Sequence, residues 1–310
     1  MSTSESTASK VILIYGATGN IGKVVIEELS RSAHPLAQDF TLVALTRDAN
    51  SASTRRLAAL PQVITKQIPA DGMDKPGKAV AALGYEKGSV YGVFSCQGYV
   101  TPKEDTAQGI AIADMCADLG VQHLVYLSTN FGSAPDTGTE IFECKRRVET
   151  HLSTLSIPHV TLLHPAQFMD NLLPSAPTFL RMGRTLLIHH AFKTHPERKH
   201  QMVSTRDIGI AGARAFEEPG RWKVLDLAGD EIDMVELQQT YREVMGEEVD
   251  TPLGLRLVTG MGRRFIGTPR GVADFFDKIG YNVDIPQCRK DFPQVETLRQ
   301  FFERNKPKEG

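Results

Sequence analysis

Three glycines, Gly16, Gly19 and Gly22, stand directly after the apolar run Lys10–Tyr15 (KVILIY) and before Ile21, Val25 and Leu29 at helical spacing. A glycine-rich turn between a strand and a helix lets backbone N–H groups approach a pyrophosphate, with the positive end of the helix facing the negative charge. In Gly16-Ala17-Thr18-Gly19-Asn20-Ile21-Gly22, Gly16 suits the tight turn, Gly19 the close approach and Gly22 the packing of helix on strand. Thr18, Asn20 and Ile21 complete the loop. The segment predicts a dinucleotide site.

Which dinucleotide is read at the end of the second strand. A carboxylate there accepts hydrogen bonds from ribose hydroxyls and would repel a 2′-phosphate, whereas an arginine can grip that phosphate through two donors. This chain has Thr46-Arg47, so NADP(H) is expected, although Asp48 could occupy Arg47 as a local ion pair. Gln97 follows the fourth strand and is expected at the nicotinamide-ribose side, with Cys96 beside it as a small filler rather than a reactive thiol.

Ser128-Thr129-Asn130 ends the fifth strand; Thr129 offers a hydroxyl to a substrate carbonyl, and loop capping is the alternative reading. Lys145 could hold the ribose or stabilise developing negative charge, or form an ordinary pair with Glu149 one helical turn on. A tyrosine four residues before that lysine would share its helix face, but position 141 is Ile. Proton donation by a tyrosine there is excluded. Tyr99, His164 and Asp170 lie just past strand ends and are the remaining proton-donor candidates.

The elements that must position these groups alternate as βαβ units. Strands are predicted at Lys10–Tyr15, Phe40–Leu45, Gln62–Ile68, Ser89–Ser95, His123–Ser128 and His159–Leu163, with helices between them, one of them over Thr139–Leu152. This is a Rossmann-type, doubly wound parallel sheet. After Pro165 the prolines and shorter periodic segments indicate a smaller C-terminal α/β substrate lobe, with helices at Met234–Met245 and Val295–Asn305, while a strand at Lys223–Leu227 is expected to return to the dinucleotide domain. Expected boundaries are a disordered tail over 1–9, the dinucleotide domain over 10–164 and the substrate lobe over 165–310.

Net charge of −2 from 35 basic and 37 acidic residues gives no field for nucleic acid or an anionic membrane, so a small-molecule substrate is expected. Four scattered cysteines signal neither a disulfide framework nor zinc, and His189, His190, His195 and His200 match no compact metal pattern. No metal is expected. The first nine residues resemble no secretory signal, and no apolar run reaches membrane-spanning length, which points to a cytoplasmic protein.

The glycine loop resembles that of the short-chain dehydrogenase/reductase superfamily in its extended and atypical branches. GATGNIG, Thr46-Arg47, the Lys145–Glu149 helix, His164–Asn171 (HPAQFMDN), Val203–Gly209 (VSTRDIG) and Leu227–Asp230 (LAGD) together resemble the NmrA-like family from about residue 10 to 305. The resemblance implies that His164–Asn171 joins sheet to substrate lobe and contacts the nicotinamide end of the cofactor, which brings in Pro165 and Phe168 as cofactor residues. His164, Gln167 and Asp170 depart from the family's Arg, Gly or Phe, and Glu, so the substrate pocket is expected to differ. Asp207 is expected to cap a helix.

Such a family implies a divided function. One reading is NADPH-dependent reduction of a small carbonyl, imine, enone or quinone, with Lys145 assisting. The alternatives are a regulator that senses NADP(H) and answers to a protein partner, and a non-redox cyclase or condensing enzyme that keeps the cofactor site.

Overall fold

The structure is a computed structural model, and it describes residues 10–98, 100–174, 176, 188, 195–249, 257 and 267–307. Its first half reads β1 (Lys10–Ile14), α1 (Asn20–Arg31), α2 (Pro35–Gln38), β2 (Phe40–Thr46), α3 (Ala52–Ala58), β3 (Val63–Gln67), α4 (Pro76–Ala82), β4 (Val90–Ser95), α5 (Pro102–Leu119), β5 (His123–Leu127), α6 (Glu140–Leu152) and β6 (His159–Pro165). There follow β7 (Gln167–Phe168), a 3₁₀ turn (Met169–Leu172), β8 (His200–Val203), α7 (Thr205–Glu217), β9 (Val224–Leu227), β10 (Asp230–Ile232), α8 (Met234–Met245), α9 (Gly267–Lys278), α10 (Ile285–Asp291) and α11 (Leu298–Asn305). Predicted strands and helices fall within a few residues of these bounds.

Seven strands form one sheet in the order β3-β2-β1-β4-β5-β6-β9. Parallel ladders join β3 to β2, β2 to β1, β1 to β4, β4 to β5 and β5 to β6. The order runs outward in both directions from β1, which makes the fold Rossmann-type and leaves a crevice outside the carboxyl ends of β1 and β4. Strand residues such as Ile12, Leu13, Ile14, Val43, Val93 and Phe94 are fully buried, as a sheet covered by helices on its faces requires. A second sheet has the order β10-β8-β7.

Two compact units emerge, each assembled from separate stretches: Met1–Ser128 with Lys145–Leu163 and Gly209–Leu225, and Thr129–Cys144 with His164–Ile208 and Asp226–Gly310. The chain leaves the first unit and re-enters it twice, the second time over a stretch that includes the start of β9. Tyr15, Val80, Ile112, Cys116, Leu124, Tyr126 and Val148 belong to the first unit's core. The second unit has its own core, built on Met169, Met202, Leu237, Tyr241, Phe275, Phe301 and Phe302. No helix among the described residues is long and apolar enough to cross a membrane.

Candidate functional site

In the first unit, β1 delivers the chain into the glycine turn. Gly16 has φ +73°, and a Cβ on it would lie 2.6 Å from the Cys96 carbonyl oxygen, so both conformation and space demand glycine there. Gly22 lies in the first turn of α1, where a Cβ would lie 2.3 Å from the Gly16 carbonyl oxygen. The turn closes by the Gly19 N–H donating to that carbonyl at 2.9 Å. Gly19 is the N-cap of α1, no side chain caps that end, and no acidic residue occupies its first turn. These are the terms on which a helix end receives an anion: bare N–H groups, a positive dipole and no competing carboxylate. Ile21 is 5% exposed and serves the core, so its offer to a ligand is its backbone alone.

Beside this turn lies a cavity of about 290 Å³ lined by residues that include Gly16, Thr18, Leu45, Arg47, Met73, Cys96 and Gly98. Arg47 is exposed at the cavity's edge. Asp48 does not engage it: the Asp48 carboxylate accepts from the Asn50 N–H at 2.8 Å, and its carbonyl accepts from the Thr46 and Thr54 hydroxyls. The loop after β2 is thereby fixed while the guanidinium stays available. Burial pushes the Cys96 thiol up to about 11, with Lys145 pulling the other way and Asp105 reinforcing the rise, so it is no thiolate nucleophile.

Gln97 is not among the residues lining that cavity. It is buried, its amide nitrogen donates to the Ser95 hydroxyl at 2.8 Å, and its amide oxygen accepts from Lys145 Nζ at 3.3 Å. Lys145 also pairs with Asp105 at 2.9 Å, both side chains about 15% exposed, and lies 5.3 Å from the centre of the Tyr126 ring. The pair with Glu149 weighed from helical spacing is not the one formed; Glu149 accepts from the Ser128 hydroxyl instead. Lys145 is thus held by groups from α5, the end of β4 and β5.

In the second unit, Asp170 accepts from the Thr205 N–H at 2.8 Å and from the Thr205 hydroxyl at 2.6 Å. Both oxygens of its carboxylate serve the N-terminus of α7, a capping role that competes with the one expected of a proton donor. Asp207 acts at the same helix end, where its N–H donates to Ser204 Oγ and its carboxylate accepts from the Ser204 hydroxyl and the Glu296 N–H. Burial raises the Asp207 pKa against those hydrogen bonds.

Asn130 donates to Asp226 at 2.7 Å and accepts from the Gly132 and Asn282 N–H groups, so it organises the loop after β5. Thr129 beside it is partly exposed, its hydroxyl 3.4 Å from the Asn130 carbonyl. His164 lies edge-on to Phe131 and 3.7 Å from Asp226. Burial would raise the Asp226 pKa, yet its hydrogen bonds from His164 and Asn130 and the His164 charge outweigh that and hold it low. Pro165 is buried; Phe168 and Gln167 are partly buried, and Gln167 accepts from the Tyr281 hydroxyl at 3.4 Å.

Tyr99, His189 and His190 lie outside the described residues. His195 faces Glu197 and Asp277, each at 3.5 Å, while burial and the Arg198 charge lower the His200 pKa to about 4 despite Asp277. Among the described residues, no group of three or more His, Cys, Asp or Glu is placed to hold a metal ion.

Sequence reasoning missed Asp105 and Asp226. The capping box Thr101-x-x-Glu104 signals the start of α5. Nothing in the sequence couples Asp105 to a lysine 40 positions on, and the alternation of β9 marks Asp226 only as a surface position.

A strand–glycine turn–helix at the centre of a doubly wound sheet, with a cation at the end of β2, defines a dinucleotide-binding protein of the Rossmann class. The sequence model of the NmrA-like family matches residues 8–253, and the chain belongs to that family. It is 30% identical over 256 residues to an NmrA-like family domain-containing oxidoreductase of Aspergillus hancockii, a match covering 77% of this chain and 74% of that one. Solved structures share its fold, among them the following two. An NADPH-dependent quinone oxidoreductase of Escherichia coli, complexed with NADPH, superposes with a TM-score of 0.69 at 21% identity, covering 95% of this chain and 99% of that one. NmrA, a negative transcriptional regulator in complex with NADP, gives 0.65 at 14%, covering 96% and 95%.

Proposed function

We propose that this chain binds NADP(H) at the α1 N-terminus and uses NADPH to reduce a small organic molecule, a carbonyl, imine, enone or quinone. The observation that carries the reading is the pairing of a cradle that admits no Cβ with a free Arg47 guanidinium at the end of β2. Gly16, Thr18, Gly19, Asn20, Ile21 and Gly22 hold the pyrophosphate, largely by backbone N–H groups, and Arg47 holds the 2′-phosphate. When bound, NADPH supplies a hydride from C4 of its nicotinamide. Lys145 serves the nicotinamide ribose with a fixed positive charge. With Asp170 committed to α7, His164 is the remaining donor candidate among the described residues, oriented by Asp226. The oxidoreductase names of its relatives support this reading.

The second reading is an NADP(H)-responsive regulator without turnover. It draws on Ile141, 42% exposed where a tyrosine would supply the proton, and on the fold shared with NmrA.

Fluorescence titration tests the cofactor: NADPH should bind at least tenfold more tightly than NADH, and Arg47→Ala should remove most of that preference, about 1.4 kcal/mol per tenfold. Equal affinities in the wild type would sink the NADP(H) assignment. A panel of quinones, enones, imines and aldehydes, followed by loss of NADPH absorbance, then tests the chemistry. Tight binding with no oxidation across the panel would favour the regulator. Product formed without NADPH loss would identify a non-redox enzyme.

A further inference from the structure

Lys145 sits where few lysines do. Its side chain is only 14% exposed, and its ammonium is met at 2.9 Å by Asp105, itself 15% exposed, on a different helix. A second contact comes from Gln97, whose Oε1 accepts from the donor-only ammonium while its Nε2 donates to Ser95 Oγ. The Tyr126 ring, 5.3 Å from Nζ, lies against the same cation. All of these groups belong to the first unit.

Local structure makes the arrangement stiff. Asp105 lies in the first turn of α5, behind the Thr101–Glu104 capping box that fixes the start of the helix. One turn further on, Gly109 has no side chain: a Cβ there would lie 2.7 Å from Val148 Cγ2. Asp105 and Gly109 share one face of α5, as Lys145 and Val148 share one face of α6. The missing side chain lets the two helices close until a short carboxylate reaches the lysine. Lysine's ammonium sits on a flexible four-carbon stem and needs such restraint to occupy one place.

We infer that Asp105 is a positioning residue: it holds the Lys145 ammonium in the one place from which that charge can act on a bound dinucleotide. The inference rests on the role given to Lys145 above, and goes beyond it by naming what fixes the lysine. Simple electrostatics gives the opposite sign. If charge alone mattered, removing Asp105 would leave the site more positive and an anionic dinucleotide would bind better. Under positioning, the freed ammonium wanders and both affinity and turnover fall.

The experiment is a double-mutant cycle on the full chain, read by NADPH fluorescence titration and, where a panel compound turns over, by kcat and KM. Asp105→Asn should weaken NADPH about tenfold. Asp105→Glu, which keeps the charge on a longer stem, should recover part of the loss. In a Lys145→Met background Asp105→Asn should change NADPH affinity less than twofold, because the group it acts through is gone. In parallel, reductive methylation followed by mass spectrometry should modify Lys145 several times faster in Asp105→Asn than in the wild type. A full loss from Asp105→Asn that persists in the Lys145→Met background would overturn the inference, as would tighter NADPH binding by Asp105→Asn. If Lys145→Met leaves NADPH affinity and turnover at wild-type values, the role of Lys145 falls. The methylation rates then still report whether Asp105 restrains the lysine.

Discussion

Asp170 shows how a residue's type and its neighbours in sequence can suggest chemistry that its contacts deny. It stands in the 3₁₀ turn that follows β7, in the segment that resembles the cofactor-contacting stretch of the family, and a carboxyl there reads as an acid. In the folded chain both oxygens accept from Thr205. Deleting a side-chain cap costs about 1 kcal/mol, so Asp170→Ala should lower the thermal midpoint measurably while leaving NADPH affinity within twofold. Asp170→Asn, which keeps one acceptor, should lose less. A large fall in kcat for both variants without loss of stability would restore Asp170 to the chemistry. Gly16, Gly22 and Arg47 were legible because their requirements are local: a positive φ, a close backbone approach, a charge at a strand end. Asp105, Asp226 and the Asp170 cap depend on partners 35 to 96 positions away, and no spacing rule reaches that far.

At the scale of elements, the strands and most helices were readable because apolar periodicity is set by burial on a sheet or on a helix face. The order of strands follows from the βαβ pattern and its handedness. The three-stranded sheet β10-β8-β7 and the helices α9 and α10 were not read: the strands and α10 are short, and the apolar residues of α9 serve a separate core. The meeting of α5 with α6 carries the most functional weight, and it can be tested directly. Gly109→Ala gains about 1 kcal/mol of helix propensity and loses about 1–3 kcal/mol to the collision with Val148, so stability should fall by up to about 2 kcal/mol. NADPH affinity is the sharper readout. Parting the helices draws Asp105 away from Lys145, and the dissociation constant should rise severalfold. Val148→Ala in the same chain removes the colliding methyl groups and should restore affinity. If Gly109→Ala binds NADPH as the wild type does, helix spacing does not set the position of the lysine.

Across the whole molecule, each compact unit carries a buried histidine that folding keeps neutral. His123, fully buried in β5 of the first unit, has its pKa lowered to about 3 by burial and by the charge of His159; His200 of the second unit falls to about 4. A histidine whose folded pKa lies below its ordinary 6.5 binds fewer protons in the native state than in the unfolded chain at intermediate pH. Stability therefore rises with pH through that window and is lost as pH falls from about 6.5 towards 3 for His123, by up to about 1.4 kcal/mol per pH unit. The window for His200 closes sooner, near 4. Carboxylates add their own acid sensitivity, so the measurement must be a difference between variants. His123→Gln removes the titrating ring yet keeps an amide that can meet Thr161, whose hydroxyl is 3.0 Å from His123 Nε2. Urea unfolding midpoints for wild type and His123→Gln, taken from pH 7.5 to 4.5, should converge on acidification, with the variant losing less stability per pH unit. Parallel curves over that range would mean that His123 takes up its proton as readily in the folded protein as in the unfolded chain, and the account of a neutral histidine buried in β5 would fail.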